Sequence, residues 1–394
     1  MTLNQNRHAI VFGCTGISGW ALVNQLLSGY PAIGTFEKVT AIANRPFDLD
    51  SAQWPCENYD NLLQIISGID LLAEDDISLQ RILSEKISSV ETVSHIYFAA
   101  YRESHDGPEE CRMNKQMLSV SVQTIEKLSS NLQSVTLITG TKAYGVLLGD
   151  KFPFRGQAPL KESFPRIPEE YAKDLFYYHQ KDLLKELSAG KTWSWCEVRP
   201  DIIIGVAPFG NANCIAQSTG TYLSFYREIE GPGARVPFMG SEAGWTLLST
   251  DSNQDLIAQL CIFASLQPKD KVHGQTFNVG DNSIPLSWST RWPLIAAYFG
   301  LEGTGPSKDS ATPAQYIDRH WNEFQNLCRE RGLREDVVYR GIRNTGSKGK
   351  TSVMDFDRYL DLGRARALGF NKELSSQDSW YMAFDRLRNA KLLF

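Results

Sequence analysis

A glycine-rich segment near the amino terminus constrains the fold of this chain more than any other feature. It reads Ile10-Val11-Phe12-Gly13-Cys14-Thr15-Gly16-Ile17-Ser18-Gly19, an apolar run that ends in three glycines with a G-x-x-G-x-x-G spacing. A helical pattern follows at once, with apolar residues from Trp20 to Leu27. This order predicts a strand, a tight turn and a helix amino end whose free N–H groups face a dinucleotide pyrophosphate. A turn with a structural role alone is the alternative interpretation.

Apolar runs and helical patterns alternate through the first two thirds of the 394 residues. After the first strand, further strands are predicted at 38–43, 62–69, 95–100, 135–139, 193–199 and 275–279. Long helices are predicted at 108–128 and 169–187. Strands that alternate with helices in this way predict an α/β fold, a Rossmann-type doubly wound parallel sheet.

The domain organisation is predicted from where this alternation weakens. Residues 1–205 are expected to form mainly the dinucleotide-binding domain. Residues 206–394 are expected to form a smaller, mainly helical substrate lobe, some segments of which return to the first domain. The stretch 145–168 contains four prolines and interrupts the pattern. Loops of this length are usually functional, so it is predicted to be a surface loop that acts as a lid.

Composition and charge argue against several classes of function. The formal net charge of −5 argues against a nucleic-acid partner. No apolar run is long enough to span a membrane, and no apolar signal region precedes the first strand. The seven cysteines form no Cys-x-x-Cys pair, and the six histidines show no ligand spacing. We therefore expect reduced thiols, no metal and a cytoplasmic location, and the sequence leaves a homodimer open.

The preferred cofactor is predicted from the end of the second strand. Asn44-Arg45-Pro46 stands where NAD-binding sheets carry an acidic residue for the ribose 2′-hydroxyl. A guanidinium can clamp a phosphate, so Arg45 indicates NADP(H), with a solvated surface arginine as the alternative. Asp70 follows the next apolar run, where it could accept a hydrogen bond from the adenine amino group. A turn cap is the alternative role for Asp70.

Two segments could supply catalytic groups. Lys142 follows Thr139 and Gly140 at the carboxyl edge of the fifth strand, where open α/β sheets bind ligands. Tyr177 and Lys181 have the Tyr-x-x-x-Lys spacing of short-chain dehydrogenases, which places them one helical turn apart. A neighbouring ammonium group would lower the pKa of the phenol. Aromatic packing on a buried helix face is the alternative interpretation of these tyrosines.

Several segments in preserved order resemble one known family. They are Thr15-Gly16-Ile17-Ser18-Gly19, Gly140-Thr141-Lys142-Ala143-Tyr144, Phe176-Tyr177-Tyr178, Trp193-Ser194 with Arg199-Pro200, and Phe277-Asn278-Val279. They resemble the progesterone 5β-reductase and iridoid synthase (PRISE) family, an atypical branch of the extended short-chain dehydrogenases/reductases. The resemblance spans roughly residues 8–300.

The resemblance implies that Tyr178 and Lys142 are the catalytic pair, and Tyr177 with Lys181 remains the second choice. It also implies an NADPH-dependent reductase that delivers hydride to the β-carbon of an enone or enal. The expected substrate is an apolar small molecule that is terpenoid, steroid-like or polyketide-derived. The cofactor contacts are expected at Gly13, Thr15, Gly16, Ile17, Ser18, Gly19, Asn44, Arg45, Asp70, Leu71, Ala99, Ala100, Tyr101, Thr139, Lys142, Tyr178, Pro200 and Ile202.

Two departures from the family pattern fall where the substrate pocket is expected. Tyr101 and Arg102 follow Ala100 where the family usually has Thr-Trp, and Ala143 follows Lys142 where a histidine is common. We therefore expect a substrate that differs from those of the plant enzymes. One rival function is an NADP(H)-binding enzyme of secondary metabolism that performs carbonyl reduction, cyclisation or aldol-type chemistry. A non-enzymatic NADP sensor is the other, because a fold alone fixes no reaction.

Overall fold

The computed structural model describes residues 7–55, 59–73, 75–210, 214–307, 311–348 and 354–394. Its strands are β1 (His8–Phe12), β2 (Lys38–Ile42), β3 (Leu63–Ile66), β4 (Val93–Phe98), β5 (Ser134–Ile138), β6 (Ser194–Pro200), β7 (Ile202–Ile204), β8 (Arg235–Phe238), β9 (Leu248–Ser249), β10 (Asp251–Asn253), β11 (Gln275–Val279), β12 (Leu286–Ser287) and β13 (Glu302–Pro306). Its helices are α1 (Ile17–Leu27), α2 (Tyr59–Leu62), α3 (Asp76–Lys86), α4 (Gly107–Leu128), α5 (Glu169–Ala172), α6 (Phe176–Leu187), α7 (Ile215–Glu230), α8 (Glu242–Thr246), α9 (Gln254–Ser265), α10 (Lys269–Val272), α11 (Trp288–Tyr298), α12 (Pro313–Arg319), α13 (Trp321–Glu330), α14 (Glu335–Lys348), α15 (Gly363–Leu368) and α16 (Ser376–Asn389).

Seven of these strands form one parallel sheet in the order β11-β6-β5-β4-β1-β2-β3. The chain order reverses at β1, where Phe12 lies opposite Ile42 of β2 on one side and Phe98 of β4 on the other. Doubly wound folds bind ligands in the crevice outside the strand ends at such a reversal. The predicted Rossmann-type α/β fold is confirmed.

Both faces of the sheet are covered by helices. Ala9 and Val11 of β1 pack into one hydrophobic core with α1 and α9, whereas Ile10 and Phe12 pack into a second core with α3, α4 and α6. Successive side chains of a strand point to opposite faces, so an apolar strand without alternation must be buried on both sides. This explains why all five residues of β1 are buried.

The segment 354–362 returns from the carboxyl-terminal third to the edge of the sheet. Leu360 forms a parallel bridge with Leu160, and Arg358 forms one with Ser249. Arg358 also pairs with Asp201, which follows β6, and both side chains are buried. These contacts join residues before and after position 205. The predicted division of the chain there stays a prediction.

The loop predicted at 145–168 lies partly at the surface, where many of its residues are exposed, and its role as a lid stays a prediction. Five of its apolar side chains are nevertheless buried: Val146, Phe152, Phe154, Leu160 and Ile167. Phe152 stacks on Phe356 with ring centroids 4.3 Å apart, so the returning segment 354–362 covers this loop. The loop is therefore part of a third hydrophobic cluster, built from segments far apart in the sequence.

Several predicted boundaries also differ from the structure. The third strand is shorter than predicted and ends at Ile66. The helix predicted at 169–187 is broken, because α5 ends at Ala172 and α6 begins at Phe176. In the part of the chain that the structure describes, no helix is long and apolar enough to cross a membrane.

The buried histidine His8, at the amino end of β1, predicts acid sensitivity. His8 forms hydrogen bonds with Thr40 (Nε2 to Oγ1, 2.8 Å) and Thr92 (Nδ1 to Oγ1, 3.0 Å). Burial, together with the charge of Lys38, lowers the pKa of His8 from 6.5 to about 4. Between pH 6.5 and 4, His8 therefore binds a proton in the unfolded chain but not in the folded chain. The free energy of unfolding decreases as the pH falls through this interval.

We predict that His8 alone lowers the free energy of unfolding by about 3 kcal/mol across this pH interval. Urea unfolding at a series of pH values measures it. The His8→Gln variant should show a flatter dependence on pH, whereas His105→Gln, which changes an exposed histidine, should keep the wild-type slope. Equal slopes for all three proteins would contradict the prediction.

Candidate active site

The glycine-rich turn joins β1 to α1 through two glycines that are needed for packing and one that is not. Gly13 has φ +83°, and a Cβ there would lie 2.7 Å from the backbone of Ala100. A Cβ at Gly19 would lie 2.1 Å from the carbonyl oxygen of Gly13. Gly16 has an ordinary φ of −78°, and its Cβ would meet only that same oxygen, at 3.5 Å. Gly16 therefore faces open space above the turn.

The amino end of α1 offers free hydrogen-bond donors at this open space. No side chain caps the helix at Gly16, and the first bond within the helix runs from the Trp20 N–H to the Gly16 carbonyl oxygen (2.7 Å). The amides of the first helical turn consequently lack helical acceptors. In contrast, Asp75 caps α3 and Asp106 caps α4. An uncapped amino end beneath an open glycine suits a bound pyrophosphate.

The predicted ribose and adenine contacts lie past β2 and β3. Asn44 and Arg45 are exposed, directly after the buried end of β2. Asp70 accepts a hydrogen bond from the Leu72 amide at 3.0 Å, so it has the turn-capping role that was its alternative, and Leu71 is buried beside it. An adenine contact for Asp70 stays a prediction.

An aromatic wall stands at the carboxyl end of β4. The Ala99 amide bonds the Phe12 carbonyl oxygen at 3.0 Å and thereby holds this end beside the glycine turn. The ring of Tyr101 stacks on Phe176 with centroids 5.3 Å apart, and its hydroxyl donates to Glu110 at 2.6 Å. Lys142, from the short 3₁₀ helix after β5, places Nζ 5.9 Å from the Tyr101 ring centroid. Lys142 therefore lies near Tyr101 at the carboxyl edge of the sheet, and its catalytic role stays a prediction.

The hydroxyl of Tyr178 is engaged elsewhere. It donates to the Ala143 carbonyl oxygen at 2.6 Å and accepts from the Ile167 amide at 3.1 Å. The side chain is buried in the third hydrophobic cluster, and this burial raises its pKa. The two bonds together tie the loop 145–168 to the 3₁₀ helix after β5, and a catalytic role for Tyr178 stays a prediction.

Tyr177 occupies the position at the strand ends. A Cβ at Gly140 would lie 3.4 Å from the Tyr177 hydroxyl oxygen and 3.6 Å from the Pro200 carbonyl oxygen, which ends β6. Among the described residues, no hydrogen bond involves this hydroxyl. Burial raises the pKa of Tyr177, the charges of Glu110 and Glu197 raise it further, and Arg199 lowers it.

Lys181 is bound by a buried carboxylate that the sequence analysis missed. Its Nζ lies 2.6 Å from Glu197 Oε2 and donates to Thr276 Oγ1 at 2.9 Å. Glu197, which is fully buried on β6, also accepts from Arg199 (2.9 Å) and Thr139 (2.5 Å). Burial alone would raise the pKa of Glu197, but Arg199 and Lys181 lower it to about 2. A charged residue inside an apolar strand was the available sequence signal.

Each of the two predicted catalytic pairs thus has one member that is engaged elsewhere. Tyr178 bonds backbone groups of the interior, and Lys181 bonds Glu197. The structure places the Tyr177 hydroxyl beside Gly140 and the Pro200 carbonyl oxygen, and it places Lys142 beside the ring of Tyr101. Within the described residues, no three His, Cys, Asp or Glu side chains are placed to hold a metal ion.

Comparison with known proteins agrees with this fold. The family model described as a PRISE-like Rossmann-fold domain matches residues 9–394. The short chain dehydrogenase ausT of Aspergillus calidoustus is 36% identical over 402 residues, covering 100% of this chain and 96% of that protein. The 3-oxo-Delta(4,5)-steroid 5-beta-reductase of Arabidopsis thaliana is 31% identical over 389 residues, covering 95% of this chain and 92% of that protein.

Solved structures share the fold at low sequence identity. UDP-glucuronic acid 4-epimerase from Bacillus cereus, solved with NAD, has a TM-score of 0.59 at 13% identity, and 97% of this chain and 99% of that chain are covered. GDP-mannoheptose C4 reductase from Campylobacter jejuni, solved with NADP, has a TM-score of 0.58 at 11% identity, with 98% and 100% covered.

The resemblance predicted from the sequence motifs is confirmed, because the family model and the relatives cover almost the whole chain. The chain belongs to the family of PRISE-like Rossmann-fold proteins and is an enzyme of the short-chain dehydrogenase/reductase kind.

Proposed function

We propose that this enzyme is an NADPH-dependent reductase that saturates the carbon–carbon double bond of an apolar enone or enal. The observation that carries the proposal is the position of Tyr177. Its hydroxyl has no hydrogen-bond partner among the described residues and lies at the carboxyl ends of β5 and β6; Lys142, from the short helix after β5, lies near Tyr101. A relative from Nepeta racemosa is named (S)-8-oxocitronellyl enol synthase, and the Arabidopsis relative is named a steroid 5-beta-reductase.

The residues at the turn fit a dinucleotide with a 2′-phosphate. The open face of Gly16 leaves room for a pyrophosphate over the first turn of α1. Arg45 is exposed at the end of β2, where a guanidinium would bind the 2′-phosphate in two hydrogen bonds. When bound, the reduced nicotinamide would supply the hydride.

The polar groups at the strand ends suit a developing enolate. Addition of hydride to the β-carbon moves the double-bond electrons toward the carbonyl carbon and leaves negative charge on the carbonyl oxygen. The phenol of Tyr177 would donate a hydrogen bond to that oxygen, and the ammonium group of Lys142 would favour the charge. A proton from water then reaches the α-carbon and restores the carbonyl group. The stacked rings of Tyr101 and Phe176 offer a flat apolar wall for the substrate.

Substitution at Gly16 should separate cofactor binding from folding. The Gly16→Val variant places a branched side chain where the pyrophosphate lies, yet its Cβ has room in the free protein. We expect native circular dichroism and loss of NADPH binding by calorimetry. The control Gly13→Val should unfold, because its Cβ meets the Ala100 backbone and its φ is positive. Normal NADPH affinity in a folded Gly16→Val protein would show that the turn binds no dinucleotide.

Arg45 should determine the preference for NADPH. Loss of a two-bond phosphate contact costs about 1.5–3 kcal/mol, so Arg45→Ala should weaken NADPH binding at least tenfold and leave NADH binding unchanged. Calorimetric titration with both nucleotides measures this. Arg81→Ala, which removes an exposed arginine on α3, should bind like the wild type. A wild-type preference for NADH would refute the NADPH assignment.

Substitution of Tyr177 and substitution of Tyr178 should have different effects on kcat. Tyr177→Phe removes the oxyanion donor and should lower kcat about a hundredfold or more with little change in KM. Lys142→Met should act in the same direction, and the double variant should lose less than the sum of the two losses. Tyr178→Phe should retain turnover and lose about 1 kcal/mol of stability, because its hydroxyl bonds backbone groups.

NADPH absorbance with a panel of enones and enals that includes progesterone and citral provides the rates, and product analysis identifies which bond was reduced. Turnover without NADPH consumption would replace reduction by cyclisation or aldol-type chemistry. A fully active Tyr177→Phe with an inactive Tyr178→Phe would return the catalytic role to Tyr178.

A further inference from the structure

The position of the Lys142 ammonium group depends on the backbone that carries it. Its Nζ lies 5.9 Å from the ring centroid of Tyr101, and no hydrogen bond or ion pair reaches it from any residue that the structure describes. The backbone of Lys142 is held more firmly, because it belongs to the 3₁₀ helix Thr141–Tyr144, whose other three residues are buried. What holds this short helix therefore decides where the ammonium group can reach.

Both ends of the 3₁₀ helix are bound to buried side chains. At its end, the Tyr144 hydroxyl donates to Asn278 Oδ1 on β11 at 2.8 Å. At its start, the Thr141 hydroxyl donates to Asp201 Oδ1, also at 2.8 Å. Asp201 directly follows β6, and its side chain is only 3% exposed. Lys142 thus extends from a backbone that is fixed on both sides.

The carboxylate of Asp201 is stabilised by a charge from the carboxyl-terminal third of the chain. Arg358, in the returning segment 354–362, donates to its other oxygen, and this guanidinium is buried as well. The backbone amide of Arg358 bonds the Leu248 carbonyl oxygen at 3.0 Å, which places the segment against β9. A carboxylate buried this deeply would be costly without a counter-charge. Arg358 therefore stabilises the acceptor that the Thr141 hydroxyl uses.

We propose that Asp201 is a positioning residue for Lys142. Its carboxylate, held by Arg358, binds the first residue of the 3₁₀ helix and fixes the backbone from which the Lys142 side chain extends. The inference rests on the proposed function, in which Lys142 favours the negative charge of the enolate. An ammonium group stabilises developing charge best when it is already in place, because moving it during the reaction costs free energy. An ion pair that only joined the two halves of the chain would not require the Thr141 hydroxyl.

Two substitutions of Thr141 test the contact without disturbing the buried ion pair. Thr141→Val keeps the shape of the side chain and removes the hydroxyl. With the panel compound that the wild type reduces fastest, kcat should fall about tenfold, because the ammonium group is then misplaced, while KM and Tm change little. Thr141→Ser keeps the hydroxyl and should retain the wild-type kcat. Equal values of kcat in the two variants would overturn the inference.

A double-mutant cycle shows whether Thr141 acts through Lys142. In the Lys142→Met background the group that Thr141 positions is gone, so adding Thr141→Val should leave kcat where Lys142→Met alone puts it. A further tenfold decrease in the double variant would show that the Thr141 hydroxyl serves another part of the site, and it would refute the positioning role.

The ion pair itself is tested by removing both charges together, since either single substitution leaves a buried charge without its partner. Asp201→Leu/Arg358→Met fills the same space with apolar groups and should fold, and kcat should fall as in Thr141→Val. An unchanged kcat in the folded double variant would contradict the proposal, and the Thr141 variants decide the question for a protein that does not fold.

A second ion pair of the returning segment provides the control. Asp355 pairs with Arg155 at 2.9 Å and so ties the segment 354–362 to the loop 145–168, at a more exposed place and without contact to the 3₁₀ helix. Asp355→Asn should therefore keep the wild-type kcat. A loss equal to that of Asp201→Leu/Arg358→Met would attribute the effect to a loosened segment and would overturn the role of Asp201.

A measurement without turnover separates the inference from the proposed function. Reductive methylation with carbon-13 formaldehyde labels each lysine Nζ and keeps its charge, and the NMR resonance missing from Lys142→Arg identifies Lys142. Because Nζ lies near the Tyr101 ring, the ring current makes this resonance sensitive to its position. Thr141→Val should shift the resonance, and Thr141→Ser should not.

The two measurements together distinguish the possible failures. A shift in Thr141→Val alone, in a protein that reduces no enone, would keep the positioning of Lys142 and refute the reductase. Enone reduction that depends on Lys142, with one resonance position and one kcat in the wild type and both Thr141 variants, would keep the reductase and refute the role of Asp201.

Discussion

The buried carboxylate of Glu197 is the interaction on which the geometry of the site depends. It joins β6, which carries it, to β5 through Thr139, to β11 through Thr276 and to α6 through Lys181. Removing a carboxylate from water costs several kcal/mol, which is recovered only when its oxygens are fully bonded. The four elements must therefore meet in one arrangement, and α6 cannot rotate about its axis without breaking the contact with Lys181.

The orientation of α6 decides what each tyrosine does. Successive residues of an α-helix are separated by about 100° around the axis, whereas residues four apart lie on the same face. With Lys181 directed at the sheet, Tyr177 lies on that same face and reaches the strand ends at Gly140. Tyr178 must then point to the side, into the loop 145–168, where it bonds Ala143 and Ile167. The contact between Lys181 and Glu197 thus directs the two phenols to different surroundings.

Much of the sheet could be predicted from the sequence, because its strands are buried on both faces and read as short apolar runs. The glycine turn could equally be predicted, because the positive φ at Gly13 and the close contact at Gly19 both require glycine. The burial of the loop 145–168 could not be predicted, because it depends on Phe356, about two hundred residues away. The local sequence does not indicate that contact. The different hydrogen bonding of Tyr177 and Tyr178 could not be predicted from the sequence for a similar reason. The break between α5 and α6 and the partner of Lys181 are both set by tertiary contacts.

The two lysines that the sequence offered to a tyrosine are therefore used for different purposes. A free ammonium group beside a phenol stabilises the phenolate, which suits an enzyme that must accept a proton from an alcohol. Here the ammonium group on the same helix is neutralised, and the lysine that remains at the site, Lys142, comes from another element and lies over the ring of Tyr101. In the proposed reaction it would act on charge that develops in a bound substrate while the phenol keeps its proton. Donation to an oxyanion requires both features, because a phenolate has no hydrogen to donate and an unopposed enolate has no charge partner.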